Sequence, residues 1–275
     1  MPAPASQLQG NEGMNEAANL FADGAAYERM MGRWSQRAGE QFIDWLAPPK
    51  GLRWIDVGCG NGAFTEMLIA RCAPAAVTGV DPSEGQLAYA RTRTGTTLAE
   101  FHTADAQALP FADASFDAAT MALVIVFVPD PVKAAREMAR VVKPGGTVAT
   151  YMWDFPGGGF PLRPLIQAVN ALGIKTPAAS NPDASRMAAM RAVWASAGLK
   201  ALDTRVIRVP IAFADFDDFW ASNSVPIGTY GNAVAALSER DRERLKDYLR
   251  QTLPIAADGS ITYEAVANAV KGRVP

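Results

Sequence analysis

Glycines and one aspartate dominate the stretch WIDVGCGNGAF, where Asp56 precedes Gly58 and Gly60. Glycine permits positive φ and carries no Cβ, so the backbone can approach a ligand closely, and the N–H groups of a following helix would face that ligand. Gly58, Gly60 and Ala63 also fit the dinucleotide pattern G-x-G-x-x-G/A, and Asp81 could accept hydrogen bonds from a ribose. The pattern predicts a nucleotide-like ligand of unspecified kind; a tight turn without a ligand is the alternative.

The surrounding residues predict the elements that must hold this turn. Short β-like runs alternate with helical ones from residue 52 to residue 153. This alternation predicts a parallel sheet with helices on both faces, because right-handed crossovers leave few other arrangements. Ligands bind such sheets at the carboxyl ends of the strands. The segments expected there are 56–62, 81, 104–106, 121–124 and 152–154.

The chain is expected to form one domain after a mobile tail. A helical cap precedes the first strand, and a later segment is predicted to hold two helices inserted between two terminal strands. The glycines at 157–159 predict a loop that can move. In residue numbers, the prediction is a tail at 1–14, a single domain at 15–275, a cap at 15–47, a core at 50–153, and variable lid or ligand segments at 154–200 and 215–252.

Composition narrows the classes of function. The 275 residues carry 26 basic and 28 acidic side chains, a net charge of -2, so a nucleic-acid partner is not expected. No apolar run reaches the roughly 18 residues that would cross a membrane, and no signal-like N-terminus is visible, which predicts a cytoplasmic protein without a membrane span. Two cysteines and one histidine predict no metal site. The oligomeric state stays open.

Motifs after the turn separate the candidate ligands. WIDVGCGNG is followed in order by GVDPSEGQLAYAR, TADAQALPFADASFD and VVKPGG. These segments resemble the class I S-adenosylmethionine-dependent methyltransferases, in particular the ubiquinone- and menaquinone-biosynthesis-like group (methyltransferase type 11). The resemblance implies a Rossmann-like α/β fold with a seven-stranded, mostly parallel sheet, an antiparallel last strand, helices on both faces and a helical lid insertion. It also implies S-adenosyl-L-methionine as cofactor and S-adenosyl-L-homocysteine as product.

The resemblance also assigns cofactor contacts position by position. It implies that the turn lies against the methionine and ribose part, that an aspartate accepts from both ribose hydroxyls, and that further residues border the adenine and the methyl group. In that order these are Gly58, Cys59 and Gly60; Asp81; Pro82, Gln86, Asp105 and Ala106; and Ala122 and Leu123. Asp56, just before the turn, completes the proposed cofactor set. Asp56 is expected to orient the turn rather than touch the substrate. The N-terminal YERMMGRW adds Tyr27 and Arg33 for the cofactor carboxylate, with a solvated surface arginine as the alternative.

One departure from the family pattern concerns catalysis. Many relatives place histidine just after the fourth strand, where this chain has Val126 and Phe127, and its only histidine, His102, is expected to be a packing or surface residue. A sulfonium methyl group is already activated, so alignment with the nucleophile can supply much of the rate. No catalytic residue is therefore assigned, and the weak candidates for a base are Tyr151, Asp154 and Asp130.

Large apolar residues in the cap and the variable segments predict an apolar pocket under a lid, with a place in the core as the alternative. They include Met31, Trp34, Trp153, Phe155, Phe160, Phe213, Phe219 and Tyr230. The predicted function is methyl transfer from S-adenosylmethionine, by in-line displacement, to a small apolar or aromatic acceptor. The alternatives are a nucleic-acid or protein methyltransferase, a module that binds the cofactor without catalysis, and a nicotinamide enzyme.

Overall fold

The computed structural model describes residues 31–174, 176, 181–226 and 228–275, and its elements are numbered within these ranges. The helices are α1 Arg33–Leu46, α2 Ala63–Cys72, α3 Glu84–Thr92, α4 Pro131–Val141, α5 Arg163–Ala171, α6 Met187–Ser196, α7 Phe216–Asn223, α8 Gly228–Ala235 and α9 Glu239–Thr252. The strands are β1 Arg53–Val57, β2 Ala76–Asp81, β3 Ala99–Thr103, β4 Phe116–Ala122, β5 Val142–Trp153, β6 Lys200–Phe213 and β7 Ile261–Arg273.

The seven strands form one sheet in the order β3-β2-β1-β4-β5-β7-β6. The pairs from β3 to β5 are parallel, whereas β7 runs antiparallel to both β5 and β6. The chain reverses its direction of winding between β1 and β4, so the carboxyl ends of these strands flank a crevice. The predicted sheet, with its antiparallel last strand and helices on both faces, is confirmed.

Side chains of the sheet alternate between two hydrophobic clusters, one on each face. Trp54 and Ala118 belong to the first cluster, while their neighbours Ile55 and Ala119 belong to the second, because successive residues of a strand point to opposite faces. Helices α1, α2, α5 and α9 contribute to the first cluster, and α4 and α6 contribute to the second. The central strands are therefore covered by helices on both faces.

Helix α1 packs one face on the sheet and joins its edge strand with another. Trp34, Ala38 and Phe42, spaced four residues apart, are all buried. Arg37 and Gln41 donate side-chain hydrogen bonds to backbone carbonyls of β6, at 3.1 and 2.9 Å. These bonds and the buried face hold α1 across the molecule, where its N-terminal turn can reach the carboxyl ends of the strands.

Two local features differ from the sequence-based expectations. The 215–252 segment holds three helices rather than two, since α8 forms despite two glycines and packs with Val234 buried. The sequence KPGG at residues 143–146 is typical of a turn, but it is part of β5: Gly145, at φ 78°, donates its N–H to the Val274 carbonyl at 2.9 Å. In both places contacts from distant segments override local propensity.

None of the helices in the described part of the chain is both long and apolar enough to cross a membrane.

Candidate active site

A large cavity opens at the carboxyl ends of the strands. Its volume is about 1210 Å³, which exceeds the roughly 300–1,000 Å³ of a typical small-molecule site. Residues that follow β1 to β5 form its wall together with residues of α1 and α5. The structure brings ten of the proposed cofactor residues together in this wall: Gly58, Cys59, Gly60, Asp81, Pro82, Gln86, Asp105, Ala106, Ala122 and Leu123.

The remaining proposed cofactor residues are placed differently. Tyr27 lies outside the described residues, and so does the side chain of Arg33, whose backbone begins α1. Asp56 is described, but it lies beneath the cavity wall rather than in it.

The turn after β1 depends on glycines with positive φ, at 73° for Gly58, 51° for Gly60 and 78° for Gly62. A Cβ on Gly58 would lie 2.6 Å from the Val124 side chain, so close packing requires glycine there. A Cβ on Gly60 would instead come no nearer than 4.0 Å to its closest neighbour, the side-chain oxygen of Gln86. Gly60 therefore presents bare backbone to open space in the cavity.

Asp81 holds the turn from the end of β2. Its Oδ2 accepts a hydrogen bond from the Gly60 N–H at 3.0 Å, and its Oδ1 accepts one from the Ser83 N–H at 2.8 Å. Burial raises the pKa of Asp81 above its ordinary value, although the two backbone donors lower it. Because a carboxylate oxygen can accept more than one hydrogen bond, Asp81 retains capacity for two hydroxyls of a ligand.

Asp56 supports the turn from below. It is fully buried, its Oδ2 accepts from the Thr65 hydroxyl at 2.7 Å, and its Oδ1 accepts from the Thr120 hydroxyl at 3.5 Å. Burial raises the pKa of Asp56 to about 7, because the charged form loses hydration that the two hydroxyls only partly replace. Asp56 thus joins β1 to α2 and β4 behind the turn.

Polar side chains after β2 and β3 continue the wall. Gln86 is 6% exposed, and its Oε1 has no hydrogen-bond partner in the part of the chain that the structure describes. Asp105 accepts hydrogen bonds from the backbone N–H and the side-chain amide of Gln107, at 2.8 to 3.3 Å. Gln107 was not singled out in the sequence. Its contact with Asp105 is an Asx turn, in which an aspartate accepts a hydrogen bond from the backbone N–H two residues later.

The end of β4 carries an unusual backbone conformation. Leu123 has a φ of 62°, a value that leucine rarely adopts. Its N–H donates to the Tyr151 carbonyl at 2.9 Å, which ties this residue to the end of β5. Such strain, when a neighbouring strand maintains it beside a cavity, is typical of functional sites.

Apolar side chains line the cavity beyond β4. We call this part the apolar chamber and define it by Tyr151, Trp153, Phe155, Phe160 and Ile166, all of which lie in the wall. The rings of Phe155 and Phe160 stack with their centroids 4.5 Å apart. Of the large apolar residues singled out in the sequence, the cavity wall includes Met31, Trp153, Phe155, Phe160 and Tyr230, whereas the core buries Trp34, Phe213 and Phe219.

The weak candidates for a base occupy different places. Tyr151 is 1% exposed and lies in the cavity wall. Asp130 caps α4, and Asp154 accepts from a backbone N–H of its own turn; neither belongs to the wall. His102, the single histidine of the sequence, is exposed on β3 and lies outside the wall. Of these four residues, only Tyr151 could contact a molecule in the cavity.

The sheet order and the cavity define the class I methyltransferase fold, and solved structures agree. The YcgJ protein of Bacillus subtilis is 20% identical with a TM-score of 0.59, over 86% of this chain and 98% of that one. A Thermotoga maritima S-adenosylmethionine-dependent methyltransferase, described as a possible histamine N-methyltransferase, is 20% identical with a TM-score of 0.56, over 94% and 99%. The [4+2]-cyclase SpnF is 20% identical with a TM-score of 0.56, over 87% and 80%. At these identities the likeness shows the fold alone.

Residues 55–150 match the family of methyltransferase domains of type 11. Among curated relatives, the malonyl-[acyl-carrier protein] O-methyltransferase of Erwinia pyrifoliae is 36% identical over 141 residues, which are 49% of this chain and 52% of the relative. A demethylmenaquinone methyltransferase of Staphylococcus aureus is 41% identical over 102 residues, which are 36% and 42%. The chain spans about half or less of the length of these relatives.

Proposed function

We propose that the protein transfers the methyl group of S-adenosyl-L-methionine to a small apolar or aromatic acceptor. The observation that carries the proposal is one cavity of about 1210 Å³ in which the bare turn at Gly60 and the Asp81 carboxylate share a wall with the apolar chamber. One end suits a nucleoside, and the other suits an apolar molecule. The match of residues 55–150 to a methyltransferase domain family supports S-adenosylmethionine as the nucleoside.

The residues at the turn fit a nucleoside cofactor. Any side chain at Gly60 would occupy the open space of the cavity, which explains why the position carries none. The Asp81 carboxylate can accept from two ribose hydroxyls. Gln86 lies in the same wall, and its buried Oε1 lacks the partner that buried acceptors ordinarily have. A donor group of the ligand would satisfy it.

S-adenosylmethionine, when bound, supplies a methyl group already activated by the sulfonium charge. The protein then has to position the acceptor, a contribution worth up to about 7–11 kcal/mol. Ala122 and Leu123, between the turn and the apolar chamber, are the residues that would border the methyl group. Tyr151 and Trp153 would exclude water from the transfer, since both are buried in this wall.

The cavity wall offers little for proton abstraction. Among the described wall residues near the end of β4, Val124 and Phe127 are apolar. Tyr151 on β5 is the one of the three candidate bases that lies in the wall. An acceptor that is already nucleophilic, such as an amine, a phenolate or an enolate-like carbon, therefore suits the site best. The same apolar wall favours a second candidate, a module that binds the cofactor without methyl transfer.

Two measurements test the proposal in sequence. Titration calorimetry with S-adenosylhomocysteine and with NAD should show binding of the first ligand alone. A transfer assay with methyl-labelled S-adenosylmethionine and a panel of amines, phenols and β-dicarbonyl compounds should then yield labelled product. Binding of NAD without binding of S-adenosylhomocysteine would refute the proposal. Binding of S-adenosylhomocysteine without transfer to any member of the panel would favour the non-catalytic module.

A further inference from the structure

Two of the three arginines in the cavity wall are paired with carboxylates. Arg71 lies 2.7 Å from the Asp44 carboxylate, and Arg93 lies 2.8 Å from the Glu66 carboxylate. Arg163 is the third wall arginine, and within the described residues its side chain has no carboxylate within 4.0 Å and no hydrogen-bond acceptor. The apolar chamber thus borders an arginine that has no partner among the residues that the structure describes.

The fold holds Arg163 beside the apolar chamber. Arg163 is the first residue of α5, it is partly buried, and its N–H donates to the Phe160 carbonyl at 2.9 Å. Its side chain passes close to Gly158, where a Cβ would lie 3.3 Å from Arg163 Cδ and 3.7 Å from Nη1. Phe160 and Ile166, on either side of it in sequence, belong to the chamber. The guanidinium is therefore carried by a fixed turn rather than by a free surface segment.

Arg163 is partly buried in the cavity wall. An arginine that loses hydration through burial is ordinarily stabilised by an opposite charge. Arginine is also the side chain best suited to a planar carboxylate or a phosphate, because its five donors form a fork that can bind two oxygens at once. The missing partner can then be an anionic group on the molecule that enters the chamber.

We propose that Arg163 binds an anionic group, a carboxylate or a phosphate, on a methyl acceptor whose apolar body occupies the apolar chamber. This inference rests on the proposed function and narrows its acceptor to amphipathic anions. Arg163 would orient the acceptor, so it is a specificity residue that takes no part in the transfer itself.

Calorimetry on protein saturated with S-adenosylhomocysteine can test this with three matched probes: 4-phenylbutyrate, its neutral amide 4-phenylbutyramide, and 3-phenylpropyl phosphate. The wild type should bind at least one anion about tenfold to a hundredfold more tightly than the amide, the range for a charge-assisted hydrogen bond. Whichever anion binds more tightly identifies the group as carboxylate or phosphate. In Arg163→Met the preference should fall below about twofold, while Arg163→Lys should retain part of it.

Arg205→Met serves as the control, because Arg205 is exposed on β6 and is not part of the cavity wall. It should behave as the wild type does. Equal binding of the amide and both anions by the wild type, or a preference that survives Arg163→Met, would overturn the inference. A loss of S-adenosylhomocysteine affinity in Arg163→Met would also overturn it, since the arginine would then serve the cofactor. Failure of the wild type to bind S-adenosylhomocysteine counts against the proposed function instead, and the same probes can then be titrated into the ligand-free protein.

Discussion

Asp56 and Asp81 show how burial gives one residue type two roles at the same turn. Asp56 is fully buried, and two threonine hydroxyls satisfy its carboxylate. Asp81 lies in the cavity wall, and the backbone N–H groups of Gly60 and Ser83 hold its carboxylate. The first aspartate therefore shapes the turn, while the second is available to a ligand.

Replacing Asp81 by asparagine should weaken S-adenosylhomocysteine binding by about tenfold to a hundredfold. The amide carries no charge, and one of its two ends can no longer accept hydrogen bonds, so a charged hydrogen bond worth about 1.5–3 kcal/mol is lost. Titration calorimetry measures the effect. Asp217→Asn is the control, because Asp217 is exposed on α7. Equal affinity of Asp81→Asn and wild type would remove Asp81 from the cofactor site.

The buried carboxyl of Asp56 should make stability depend on pH. Its pKa is about 7 in the folded protein, against 3.8 for an unperturbed aspartate side chain. Between about pH 4 and pH 7 the unfolded chain therefore binds fewer protons, so stability falls as the pH rises through this window. The total loss approaches about 4 kcal/mol at 1.36 kcal/mol per pKa unit.

Asp56→Asn cannot ionise, so its free energy of unfolding relative to wild type should increase steadily between about pH 4 and pH 7 and level off above. Urea unfolding at several pH values measures this difference. The asparagine also alters the hydrogen bonds with Thr65 and Thr120, but that offset is the same at every pH. A difference between variant and wild type that stays constant with pH would contradict the raised pKa.

At the scale of elements, the turn between β5 and α5 depends on its attachment to β7. The Gly159 N–H donates to the Asp154 carbonyl at 2.7 Å, and the Gly159 carbonyl accepts from the Val266 N–H at 2.9 Å. A Cβ on Gly159 would overlap the Val266 carbonyl oxygen. The glycines that suggested a moving loop thus have a second explanation, because they allow two backbone segments to approach closely.

Tyr263→Phe tests this attachment. The Tyr263 hydroxyl on β7 donates to the Pro161 carbonyl at 2.8 Å, and its loss should lower the free energy of unfolding by about 0.5–1.5 kcal/mol. Urea unfolding measures the change. Tyr248→Phe is the matched control, since Tyr248 is a partly buried tyrosine of α9 outside this turn. Equal effects of the two substitutions would show that the hydroxyl does not hold the turn.

At the scale of the whole molecule, the strand order separates the two ends of the cavity. The end of β2, which carries Asp81, and the end of β5, which carries Trp153, are three strand spacings apart, about 14 Å. A nucleoside at one end and an apolar molecule at the other can therefore occupy the cavity together. The end of β4, at Ala122 and Leu123, lies between them.

Amide hydrogen exchange should show which end of the cavity binds S-adenosylhomocysteine. S-adenosylhomocysteine should slow amide exchange at residues 58–62 and 104–106, because these segments form the cofactor end of the wall. Exchange in α5 should change little, and that in α9 not at all. Mass spectrometry of peptic fragments gives the comparison. Protection confined to α5 and the apolar chamber would show that S-adenosylhomocysteine binds in the chamber, which would contradict the proposed cofactor site.

The sequence by itself determined the strand–helix alternation and the turn, since both depend on residues close together in the chain. Helix Ala63–Cys72 and strand Ala76–Asp81 are two of the alternating elements that this local pattern predicts. Only the tertiary structure decided that Met31 lies in the cavity wall while Trp34, three residues later, is buried in the core. It alone also showed that, within the described ranges, the Arg163 side chain has neither a carboxylate nor a hydrogen-bond acceptor beside it. Such outcomes depend on contacts between segments far apart in sequence, because burial and charge pairing are properties of the packed molecule and leave no local pattern.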